Sequence, residues 1–85
     1  MYSIEVSDKL KKELTKLAKK SPKQAKIITK KIRHILKNPY HFKPLRGDLH
    51  GSRRVHIESF VLTYEIDEDN QLVRLLDYAH HDNIY

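Results

Sequence analysis

Apolar residues recur at helical spacing in the first half of the chain and at strand spacing in the second half. Tyr2, Ile4 and Val6 alternate with polar neighbours, so Tyr2 to Val6 reads as a short strand. Leu10, Leu14, Leu17 and Ala18 then fall at i, i+4, i+7 and i+8, one face of a helix capped by Ser7 or Asp8. Its other face carries Lys9, Lys11, Lys12, Lys16, Lys19 and Lys20. Ser21-Pro22-Lys23-Gln24 starts a second helix: serine caps, proline takes the first turn, and Gln24 stands where a capping box needs it. The apolar stripe Ala25, Ile28, Ile32, Ile35 and Leu36 continues to Asn38-Pro39, which ends the helix because the residue before proline leaves the α region. So short a connection predicts an antiparallel helix hairpin.

Tyr40 to Gly51 reads as a loop and holds the chain's two glycines. Three strands are predicted after it. Arg53 to Glu58 alternates, with Val55 and Ile57 on one side and Arg54, His56 and Glu58 on the other. Phe60 to Ile66 is apolar on both sides, as for a central strand. Asp67 to Asn70 is a polar turn, and Leu72 to Tyr78 is the last strand. The order β-α-α-β-β-β predicts an α+β fold, with the helix hairpin packed on one face of a mainly antiparallel four-stranded sheet. Residues 1–85 form a single domain with a marginal core. With Val55 and Ile57 toward the helices, Arg54 and His56 line the open face.

Charge is distributed unevenly along the chain. Residues 1–46 carry 14 Lys/Arg against 3 Asp/Glu, residues 47–85 carry 3 against 8, and the net is +6. A basic half fits a polyanionic partner, above all a phosphate backbone, or else a solvated lysine-rich surface. The absence of cysteine excludes disulfides and thiolate metal sites. No apolar run approaches the roughly 20 residues of a membrane span, and the first residues do not resemble a signal peptide. A cytoplasmic location without membrane association is expected.

The chain ends His80-His81-Asp82-Asn83-Ile84-Tyr85. Histidine titrates nearest neutrality, so two of them beside a carboxylate and a tyrosine look placed for chemistry. A metal site from His56, His80, His81 and Asp82 is disfavoured: adjacent histidines in an extended segment rarely bind one ion, and no HExxH spacing exists. No metal and no cofactor is expected.

Pro44-Leu45-x-Gly47-x-Leu49-x-Gly51, then Arg53-Arg54-x-His56-Ile57-Glu58, Val61-Leu62-x-Tyr64-Glu65-Ile66 and the tail together resemble the RelE/ParE toxin superfamily. The Gly51-x-Arg53-x-x-His56 run and the His81-x-x-x-Tyr85 ending are most similar to its YafQ-type branch. The resemblance spans essentially the whole chain. It implies the toxin of a type II toxin–antitoxin pair. In RelE and YafQ relatives it implies a ribosome-dependent mRNA endonuclease that uses the RNA's own 2′-hydroxyl and leaves a 2′,3′-cyclic phosphate. The ParE branch shares the fold and acts on gyrase without cutting RNA. That reading, or an inactive RNA-binding relative, is the alternative.

Carried over by resemblance, His56 matches a catalytic histidine, and His81 matches a C-terminal histidine suited to general acid. Tyr85 matches a terminal aromatic that stacks on a base or assists proton transfer. Arg53 has the better family match and Arg54 the better strand parity for stabilising the phosphorane; both are catalytic candidates. Arg46, Lys43, His80 and Asp82 are candidates for RNA contact or support. Lys43 stands where the YafQ branch has histidine, the branch's catalytic aspartate has no counterpart beside Glu58, and RelE's strand arginine falls at Val61. His34 and His41 read as surface residues. The implied partners are a RelB-like antitoxin, carrying an acidic amphipathic segment, and the ribosome with its mRNA and rRNA.

Overall fold

A computed structural model of the chain describes residues 1–42, 52–80 and 82. The elements are β1 (Ser3–Val6), α1 (Asp8–Lys20), α2 (Pro22–Lys37), β2 (Ser52–Ile57), β3 (Phe60–Asp67) and β4 (Leu72–His80). The order is the predicted one.

Both helices begin where the capping residues stand. Ser7 Oγ accepts from the Leu10 amide at 3.2 Å, and Ser21 Oγ accepts from the Gln24 amide at 3.4 Å. The Gln24 side chain departs from the capping-box expectation. Its amide nitrogen donates to the Tyr78 hydroxyl at 2.5 Å, tying α2 to the sheet. Two further boundaries also differ from expectation. Strand β2 stops at Ile57, and Glu58, expected to extend it, takes a left-handed φ of 57° in the turn with Ser59. His80, expected in the tail, is the last residue of β4 and pairs with Phe60.

The sheet order is β1-β4-β3-β2. β1 runs parallel to β4, and the other neighbours are antiparallel. Parallel pairing of the first and last strands requires a crossover, which the helix hairpin begins. Strand β3, apolar on both faces, lies inside the sheet as its pattern predicts.

One face packs on the helices. Val55 and Ile57 from β2, Leu62 and Tyr64 from β3, and Val73 and Leu75 from β4 join Leu10, Ile28 and Ile35 in the buried core. At roughly 25 cal/mol per Å² of apolar area, these side chains supply most of the folding drive. A register shift at Thr63/Tyr64 leaves Leu76 as an extra residue in β4 and keeps Tyr78 on the helix side.

Tyr64 shows how the core fixes the segment after α2. Its ring is fully buried, and its hydroxyl donates to the Pro39 carbonyl at 2.6 Å. Burial pushes the phenol up to about 12, against the nearby charge of Arg53. Tyr64→Phe is expected to cost about 1–3 kcal/mol, because the Pro39 carbonyl loses its donor. A pKa raised by folding means that only the neutral phenol suits the native state. The stabilisation is full below about pH 10 and fades as pH rises toward 12. Urea melts of wild type and Tyr64→Phe should therefore converge between pH 10 and 12. A gap independent of pH contradicts this account.

Candidate active site on strand β2

Alternation in β2 separates its side chains cleanly. Val55 and Ile57 are buried under the helices, and Arg54 and His56 face the other way. His56 is exposed, and Arg54 is partly covered. In register, His56 lies beside Val61 and then Ala79, and Arg54 lies beside Thr63 and then Asp77. Both side chains therefore stand on the face away from the helices, as their parity predicts, at the β2 edge of the sheet.

Farther along the same face, Arg74 holds three carboxylates: Glu65 at 2.7 Å, Glu5 at 3.3 Å and Asp67 at 3.6 Å. Those bonds hold the guanidinium pKa above its usual value. They occupy Glu5 of β1 and Glu65 and Asp67 of β3, and Glu65 is itself the register partner of Ser52 in β2. The Arg74 end of the face is thus internally balanced.

Arg53 goes to the opposite side. It lies beside Tyr64 in register, on the helix-facing surface. Its guanidinium donates to the Phe42 carbonyl at 2.6 Å and sits 5.1 Å from the Tyr40 ring centroid. The Tyr40 hydroxyl in turn donates to Glu68, which also accepts from Tyr2 at 3.0 Å. The Tyr40 phenol is pushed up to about 12, chiefly by that bond to Glu68, and Glu68 is held below the usual carboxylate range by the same partners. Arg53 therefore fastens the segment after α2 to the sheet, on a different face from Arg54 and His56.

His80 also faces the helix side. Its ring meets Phe60 edge-on at 5.4 Å, and Phe60 stacks on Tyr78 at 5.0 Å. His80 Nδ1 lies 3.5 Å from an Asp82 carboxylate oxygen and accepts from the Asp82 amide at 3.3 Å. His80 and Asp82 are thus brought to each other rather than to His56. His81, Tyr85, Lys43 and Arg46 lie outside the described residues. Among the described residues, no group of three or more His, Asp or Glu side chains is arranged to hold a metal ion.

Arg54 and His56 open into a cavity of about 470 Å³ that is also lined by Lys31, His41, Phe42 and Val55. Sequence reasoning does not single out Lys31, His41 or Phe42. His41 reads as a surface residue, and Lys31 as one lysine among many. Their only sequence signal is position: α2 and the residues after it must pass the edge strand before the chain enters β2.

Comparison with known proteins agrees with this architecture. Residues 4–85 match the family model described as the ParE toxin of the type II toxin–antitoxin system parDE. A candidate toxin of Methanocaldococcus jannaschii, RelE4, is 49% identical over 86 residues, covering 100% of this chain and 92% of the relative. The isolated RelE toxin of E. coli superposes with a TM-score of 0.81 at 18% identity, covering 94% of this chain and 84% of that one. The toxin–antitoxin complex RelBE of E. coli matches with a TM-score of 0.80 at 20% identity, covering 94% and 96%.

Proposed function

Since the chain belongs to the RelE/ParE superfamily of type II toxin–antitoxin toxins, we propose that it is a ribosome-dependent mRNA endonuclease. The observation that carries the reading is the pairing of an exposed His56 with Arg54 on one open face, both on the wall of a single cavity. An arrangement of this kind suits phosphodiester transesterification without a metal.

In this reading, the neutral His56 imidazole takes the proton of a 2′-hydroxyl in the mRNA. The 2′-oxygen attacks the adjacent phosphorus, forming a pentavalent phosphorane. The Arg54 guanidinium bonds the non-bridging oxygens as their charge grows. The bond from phosphorus to the 5′-oxygen breaks, and His81 gives that oxygen a proton. The products are a 2′,3′-cyclic phosphate and a 5′-hydroxyl end. Tyr85 is assigned to stack on a base or assist proton transfer, while Lys43 and Arg46 are assigned to phosphate contact.

The lysine-rich helices would hold rRNA by sequence-independent phosphate contacts, which implies action at cytoplasmic ribosomes. No helix among the described residues is long and apolar enough to cross a membrane. The partner that silences the toxin is an antitoxin whose acidic amphipathic segment folds on binding. A largely apolar groove between α1 and α2, lined by Leu14, Ala18, Ala25, Ile28, Thr29 and Ile32 on two lysine-rich helices, suits such a segment.

A second reading, a toxin acting on gyrase without cutting RNA, is favoured by the ParE description of the matched family. Inducible expression with mapping of cellular mRNA 5′ ends separates the two. New internal ends that vanish in His81→Ala support the endonuclease. Growth arrest with intact mRNA and broken chromosomal DNA supports the gyrase reading.

A further inference from the structure

Resting on the endonuclease reading, we propose that the cavity between α2 and the β2 edge seats one unstacked nucleotide of the RNA, its base against Phe42 and His41 and its phosphate against Lys31. The walls come from separate parts of the chain: Lys31 from α2, His41 and Phe42 from the residues just after it, and Arg54, Val55 and His56 from β2. Its volume of about 470 Å³ falls within the roughly 300–1,000 Å³ of small-ligand sites. Two rings and an apolar floor, Val55, meet two permanent cations, with no carboxylate among the described lining residues. That is the composition a nucleotide needs: a flat apolar surface for the base and positive charge for the phosphate.

The aromatic wall is held in place from behind. The Phe42 and His41 rings meet edge-on at 5.0 Å and 85°. The Phe42 carbonyl takes the 2.6 Å bond from Arg53, which lies against Tyr40, and Tyr40 is anchored on Glu68. A wall fixed before binding loses less entropy when a base stacks on it. A paired, stacked base presents its edges and not its face, so the site selects single strands over duplex RNA. His56 shares the cavity, so the seated nucleotide adjoins the scissile phosphate.

The test titrates the full-length protein with a 2′-O-methyl trinucleotide, which lacks the attacking hydroxyl and cannot be cut, and follows its NMR spectrum. Resonances of Lys31, His41, Phe42 and Val55 should shift together. Phe42→Leu, which keeps apolar bulk on the core, should weaken binding about tenfold. Lys31→Ala should weaken it and lower the salt dependence by about one phosphate contact. The same sequence as a duplex should compete poorly. Absent shifts, unchanged affinity in Phe42→Leu, equal competition by duplex, or displacement by polyglutamate at equal charge overturns the proposal. If binding depends on Phe42 while cellular mRNA stays uncut, the subsite stands and the endonuclease reading fails. If mRNA is cut equally by wild type and Phe42→Leu, the subsite fails alone.

Discussion

His56→Ala is expected to slow RNA cleavage by roughly 100- to 10,000-fold while leaving the fold intact. The size follows from the role: a positioned base removes a proton that water removes poorly, and each tenfold corresponds to about 1.4 kcal/mol of barrier. The preserved fold follows from the structure. His56 is exposed, on the face away from the core, and makes no hydrogen bond to another described residue that its loss would orphan. Its backbone pairs with Val61 whatever the side chain. Thermal melting should therefore match wild type within a degree or two. Equal loss of rate and of stability would assign His56 to packing instead.

The two neighbouring arginines provide the second large effect, and it is a contrast. Arg54→Ala should lower the cleavage rate by about 100- to 1,000-fold, as when one oxyanion donor is removed. Arg54→Lys should recover little, since an ammonium cannot reproduce a forked contact with two oxygens. Arg53→Ala should lower stability by about 1–3 kcal/mol, by orphaning the Phe42 carbonyl and freeing Tyr40. Denaturant melts and single-turnover cleavage on the same preparations separate the two. A rate loss in Arg53→Ala beyond both the loss of folded protein and the loss seen in Phe42→Leu would place that guanidinium on the substrate.

Much of the fold is legible in the sequence because each element carries its own period. The stripe through Ile28 and Ile35, the caps Ser7 and Ser21, and the stop at Asn38-Pro39 are local signals, and local chemistry decides them. Strand parity in β2 is equally legible, and alternation alone sets Arg54 and His56 on one face. The family match favours Arg53, but alternation sends that side chain to the helix side. What local signals cannot give is tertiary. The end of β4 is decided by its pairing with Phe60, so His80 joins the strand instead of the tail. Gln24 has a local use in its cap, and the approach of Tyr78 outweighs it. Lys31, His41 and Phe42 reach the site only because α2 and the residues after it pass the edge of β2. Nothing in their spacing announces that proximity.

In the proposed reading, His56 and Arg54 form half of a metal-free RNA-cleaving site. The most direct measurement uses purified ribosomes carrying a defined mRNA, with the 3′ ends of the fragments analysed by mass spectrometry. Wild type should leave 2′,3′-cyclic phosphate ends, and His56→Ala should cut at least about 100-fold more slowly. Intact mRNA with folded wild-type protein, or identical cutting by His56→Ala, would contradict that reading.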